Sequence, residues 1–172
     1  VSLAEYMAGD MPPDQQEELR RFVPKVEVVS LLDHHGKPFH GFRSVDKHWT
    51  TVFTVLPGDL IPIVGEYKHG VDEVVLVPPS GVPHEDDLTA TDPMAACARR
   101  EWEEETGIPL EHVEALSEHP FTVSGRWSTS RFHPFWGQVK EPIVRCPAKL
   151  DTTEQLKMVL VPIPEWLKII QR

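Results

Sequence analysis

The stretch from Asp92 to Gly107 limits the fold more than any other part of the chain. Asp92 stands where a helix N-cap belongs, Pro93 carries a φ already suited to the first helical residue, and Gly107 supplies the left-handed residue on which helices end. The spacing predicts one long helix over Pro93–Thr106. Most of what precedes it reads differently. Residues 26–32 and 50–56 are β-branched, apolar runs closed by turn residues, and 60–67 and 71–77 are two more, joined by Lys68-His69-Gly70 as in a hairpin. After the helix, residues 113–119, 132–139 and 157–161 read as strands and 164–171 as a terminal helix. Residues 3–22 read as two helical pieces split by Pro12 and Pro13, a surface arm over residues 1–25 ahead of a domain over 26–172. The order is that of a mixed α+β fold around one central helix.

Charge narrows the partners. The 172 residues carry a formal charge of −10, so no broad basic face exists to neutralise a nucleic-acid polymer or an anionic membrane. A small phosphorylated ligand remains compatible, provided a divalent cation and a few Arg or Lys residues supply positive charge locally. Cys97 and Cys146 match no zinc spacing, and no long apolar run appears, which points to a cytoplasmic setting.

The central helix violates a local rule. Glu101, Glu103, Glu104 and Glu105 crowd its last two turns, where the macrodipole favours cations. At about 100° per residue, Glu101, Glu104 and Glu105 share one arc, beside an apolar arc of Ala95, Ala98 and Trp102. Like charges at i,i+4 repel, so the face calls for a counter-charge, and a hard divalent cation with oxygen ligands would supply it. The plainer alternative is a solvated helix with Arg99–Glu103 and Arg100–Glu104 pairs, in the weaker of the two orientations.

Gly81, Asp92 and the run from Arg100 to Ile108 together resemble the Nudix box, G-x5-E-x7-R-E-U-x-E-E-x-G-U with U bulky and apolar. The second half agrees at every specified position. In the first half Gly81 stands ten residues ahead of the acid, which is Asp92, with the extra residues placed in the loop 84–91. The flanks are similar to the ADP-ribose and nucleotide-sugar pyrophosphatase branch: residues 63–68 and 75–81 before the box, Ser124-Gly125-Arg126 and residues 151–162 after it.

The resemblance implies a Nudix-type α/β/α sandwich with a mixed sheet and a Mg²⁺- or Mn²⁺-dependent hydrolase. Its substrate would be ADP-ribose or a related nucleoside diphosphate sugar. Glu101, Glu104 and Glu105 would hold the metal with the Ser80 carbonyl, Arg100 would orient a glutamate, and Glu154 would activate water. Trp49, Tyr67 and Trp127 are candidates for stacking on a base, Lys68 and Arg126 for contacting phosphates, and Gly81 for contacting substrate, although such aromatics also serve simply as core. In this branch the N-terminal segment often joins a homodimer, which would involve residues 1–50. Other nucleotide substrates, such as nucleoside triphosphates, dinucleoside polyphosphates or coenzyme A, fit the same box, as does a nucleotide-binding domain without turnover.

Overall fold

The computed structural model describes residues 25–68, 70–149 and 156–171. The expected N-terminal arm falls on residues outside these, apart from Lys25, which already begins the first strand. The described residues form two compact units, one of 25–46 with Ser124–Thr129, the other of Lys47–Val123 with the described part of Ser130–Arg172.

In the first unit, β1 (Lys25–Leu32) pairs antiparallel with β2 (Pro38–Val45). Asp33 builds the turn between them: its Oδ1 accepts from the His35 and Lys37 amides at 2.9 and 2.8 Å, and Gly36 takes the left-handed φ of 76° that the reversal needs. The run 38–45 carries no clear strand pattern, because Pro38, Gly41 and scattered polar residues interrupt it. Pairing with β1 overrides that weak local preference. At the end of β2, the Asp46 carboxylate accepts 2.5 Å hydrogen bonds from the Ser44 and Ser128 hydroxyls, fastening Ser124–Thr129 to the hairpin.

The second unit holds the remaining elements: β3 (Trp49–Phe53), β4 (Leu60–Lys68), β5 (Glu73–Val77), β6 (Ser80–Gly81), α1 (Pro93–Thr106), β7 (Leu110–Ala115), β8 (Phe121–Thr122), β9 (Arg131–Val139), β10 (Leu156–Pro162) and α2 (Ile163–Ile170). One sheet runs β6-β3-β9-β7 with β8 alongside β9, and another runs β10-β4-β5. Every pairing is antiparallel except β3 with β9, so the first of these sheets is mixed. The strand expected over 113–119 instead occupies Leu110–Ala115. It starts as soon as the chain leaves the Gly107 cap and stops where the Ser117 hydroxyl turns onto the His119 carbonyl.

The central helix forms where its boundary residues place it. Asp92 Oδ1 accepts from the amides of Met94 and Ala95 at 3.1 and 3.0 Å, satisfying two of the N–H groups a helix start leaves open. Gly107 ends it at a φ of 70°. A side chain there would also run into the carbonyl oxygen of Cys146, so both backbone shape and packing demand glycine. The apolar arc foreseen from the sequence is buried: Ala98 and Trp102 pack with Val52, Leu56, Ile108, Leu110, Phe135 and Val139 into one core. Trp102 is fully enclosed, and its indole N–H donates to the Ile108 carbonyl at 2.7 Å. Trp102→Ala, by opening a cavity under α1, is expected to cost about 3–5 kcal/mol in urea unfolding. Trp102→Phe should cost less, since it removes mainly the hydrogen bond and part of the ring.

Candidate active site

β3 and β6 fix the position of the acidic face. Thr50 and Thr51 of β3 lie opposite Gly81 and Ser80 of β6, and Thr51 secures the approach by donating its hydroxyl to the Pro79 carbonyl at 2.9 Å. α1 packs on this strand pair. Glu101 and Glu105, one helical turn apart, are buried there, 7% and 5% exposed. The Ser80 amide donates to Glu105 Oε2 at 3.2 Å. A Cβ on Gly81 would run into the Glu101 carboxylate, so the glycine is the space into which that side chain fits. Gly81, expected as a substrate contact, here makes room for the acid at close range.

Arg100 ties the face to the loop after β6. Its guanidinium reaches Glu104 Oε2 at 2.7 Å, Glu101 Oε1 at 2.9 Å and Asp87 Oδ2 at 2.9 Å, and it donates to the Val82 carbonyl at 3.1 Å. Burial works against its charge, yet its hydrogen bonds to Asp87 and the Glu101 charge outweigh that and raise its pKa further, so the cation is permanent. The sequence reading expected Arg100 to orient a glutamate, and here its guanidinium contacts two, Glu101 and Glu104. Asp87, 6% exposed, also accepts the His84 amide at 2.8 Å. Burial pushes the Asp87 carboxyl up, but Arg100 and the His84 amide more than reverse this and hold it below its ordinary value of 3.8.

Asp87 carried no role in the sequence reading, which set Asp92 at the acid position of the pattern. Five residues separate Asp87 from Gly81, the spacing of the Nudix pattern, and it is the acid that meets Arg100. Asp92 is the helix cap and its side chain is committed to Met94 and Ala95. The additional residues therefore lie between Asp87 and Arg100, not between Gly81 and the acid. The count from Gly81 was the signal that could have found it.

The neighbouring face of α1 is held by other contacts. Arg99 meets Glu103 at 3.7 Å and donates to the carbonyl of Leu110, while Glu103 accepts the Leu110 amide at 3.2 Å. The segment from Arg145 to Lys149 covers the carbonyls at the helix end: Arg145 Nε donates to Thr106, the Cys146 amide to Gly107, and the Lys149 amide to Glu104. A cavity of about 490 Å³ opens here, bordered by Arg99, Arg100, Glu104, Cys146 and Lys149. Arg99, read in the sequence only as a partner of Glu103, and Lys149 were not among the candidate site residues, because neither belongs to a motif. Buried Cys97 is chemically quiet: desolvation, then the charges of Glu101 and Asp87, push its thiol up to about 12.

The remaining candidates have partners of their own. Trp49 is half-buried and stacks on Phe132, with ring centres 4.4 Å apart across the β3–β9 pairing. Tyr67 donates to Asp72 at 2.6 Å and Lys68 pairs with Glu66 at 2.6 Å, both within the β4–β5 hairpin region. Arg126 lies over the Trp127 ring at 5.1 Å in the first unit. Glu154 lies outside the described residues.

The three glutamates offer oxygen donors only, the chemistry a hard divalent cation takes, and Gly81 leaves a cradle for one of them. Their side chains do not converge as the sequence reading expected: among the described residues, no three His, Cys, Asp or Glu groups stand together in a metal-holding arrangement. The physical reason is the forked guanidinium of Arg100, whose donors draw Glu101 and Glu104 toward themselves.

Neither a protein-family model nor any curated protein matches the sequence. Among solved structures, the crystal structure of an ADP compounds hydrolase is similar, with a TM-score of 0.68 over 87% of this chain and 76% of that chain, at 18% sequence identity. A likeness of this kind establishes the fold, and it bears out the α+β architecture expected from the sequence. Among the described residues, no helix is long and apolar enough to cross a membrane.

Asp87→Ala removes one partner of a buried ion pair and is expected to cost about 3 kcal/mol, read from urea midpoints at pH 7. Because the folded-state pKa is depressed, the contribution is complete above the ordinary value of 3.8 and is lost as pH falls through the lowered one. The stability gap between wild type and Asp87→Asn should accordingly narrow in acid.

Proposed function

We propose that this chain is a Nudix hydrolase that cleaves the diphosphate bond of ADP-ribose or a related nucleoside diphosphate sugar, with Mg²⁺ or Mn²⁺, to give a nucleoside monophosphate and a sugar phosphate. The observation that carries the reading is the pair of buried glutamates on α1, Glu101 and Glu105, set against β6 at a glycine that leaves room for one of them. Burying two carboxylates beside each other is costly unless cations compensate, and Arg100 supplies one charge for several acids. A fold shared with an ADP compounds hydrolase agrees with the same reading.

In this scheme Glu101, Glu104 and Glu105, with the Ser80 carbonyl, would hold the cation, which would supply charge neutralisation for phosphoryl oxygens and acidification of water. Arg100, braced by Asp87, keeps the glutamate carboxylates aligned and takes up Glu104 and Glu101 when they are not engaged elsewhere. Arg99 and Lys149, at the rim of the cavity beside Glu104, receive the diphosphate charge. Water adds to one phosphorus, the bridging P–O bond breaks, and the attacking water's proton passes to a carboxylate. Glu154 is our candidate for that acceptor.

Glu104→Gln and Glu105→Gln are expected to lower turnover of ADP-ribose with Mg²⁺ by about a thousandfold or more, with unchanged circular dichroism. Full activity in both variants would end the reading. A second test uses the cradle. Gly81→Ala should leave stability nearly intact, since the Glu101 carboxylate is the end of a flexible chain and can swing away, yet it should reduce kcat severely by displacing that carboxylate. The hold of Arg100 on Glu101 and Glu104 also suits a domain that binds nucleotide without cleaving it. Calorimetric binding of ADP-ribose together with no product in chromatography would select that alternative.

A further inference from the structure

The loop between Asp87 and the helix is longer than the Nudix pattern requires by five residues, and it is folded rather than slack. Asp87–Thr89 form a 3-10 turn, the Thr89 hydroxyl donates to the Asp86 carbonyl at 2.8 Å, and the Ala90 amide closes on the Asp87 carbonyl at 3.1 Å. This ordered insert holds Leu88 at 61% exposure, an apolar side chain presented to solvent by a rigid turn. Leu88 forms one wall of a cavity of about 680 Å³, within the range of small-molecule sites. Met94, from the first turn of α1, lines it too, and Lys47, His48, His84 and Glu85 contribute its polar atoms.

The cavity shares its supports with the acidic face. Leu88 directly follows Asp87, the partner of Arg100, and the wall residue Pro83 directly follows Val82, whose carbonyl Arg100 also holds. His48 lies two residues ahead of Thr50, which pairs with Gly81, the glycine beside Glu101. One anchored loop thus joins the glutamates to the cavity.

We infer that the cavity between Leu88 and Met94 receives the nucleobase of the nucleotide substrate, an assignment that rests on the hydrolase reading above. The chemistry of the walls selects the base over the sugar. Leu88, Met94 and the prolines give flat, polarisable surfaces that suit a heterocycle, and thioether sulfur packs well on aromatic rings. Sugar hydroxyls against those side chains would lose their hydrogen bonds to water without replacement. Lys47, the two histidines and Glu85 supply donors and an acceptor for the polar edge of a base.

Two measurements test this. In wild type with methyl-labelled methionine, AMP should shift the Met94 methyl resonance, assigned through Met94→Leu, whereas ribose 5-phosphate should not. Leu88→Trp, at a position too exposed to endanger folding, should remove the AMP shift and raise KM for ADP-ribose by about tenfold or more with kcat nearly kept. An unmoved Met94 methyl and an unchanged KM in a protein that still hydrolyses ADP-ribose would overturn the base pocket alone. An equal shift with ribose 5-phosphate would overturn the choice of base over sugar. Should AMP shift Met94 while no nucleoside diphosphate is hydrolysed, the pocket stands and the hydrolase reading falls.

Discussion

The buried guanidinium of Arg100 is the interaction on which the rest of the site depends. An acidic chain has placed three carboxylates on one helix face and a fourth on the facing loop, and Arg100 contacts Asp87, Glu101 and Glu104 at 2.7 to 2.9 Å. Without it, the loop after β6 would have no strong attachment to α1, and the glutamates would repel across a poorly solvated space. The cost of burying the cation is offset because several anions and a backbone carbonyl share its donors. Arg100 therefore sets both the height of the loop and the directions in which the acids point.

Glycine works beside this charge network by leaving room. At Gly81 the absent side chain is the volume occupied by the Glu101 carboxylate, and at Gly107 it is the approach of the Cys146 carbonyl to the helix end. The second contact lets Arg145, Cys146 and Lys149 cover the last carbonyls of α1, a helix end that is otherwise surrounded by glutamates. The two glycines sit at opposite edges of the acidic face and let backbone come close to it from both sides.

Much of this was legible in the residues. Asp92, Pro93 and Gly107 marked α1 at both ends because caps and breakers act locally, and Trp102 declared the buried arc through helical spacing. The β1–β2 hairpin was half legible, since β2 forms by pairing and carries no strong pattern of its own. Asp87 escaped because an ion pair between residues thirteen apart leaves no periodic trace, and an acid five residues ahead of a good N-cap was easily mistaken for loop. The Arg100–Glu104 pair was open to helix spacing, whereas the contact of Arg100 with Glu101 escaped. Helix spacing reports which side chains share a face, but the rotamers that decide their partners depend on groups brought from the loop.

The insert between Asp87 and Asp92 is fixed at one end by an ion pair and at the other by a helix cap, and neither attachment uses the side chains in between. Residues 88–91 can consequently be lengthened, shortened or rewritten with little effect on the helix or on the acids. A chain built this way carries an exchangeable cassette: its neighbourhood can be retuned to new molecules while the hard-won alignment of charges stays as it is.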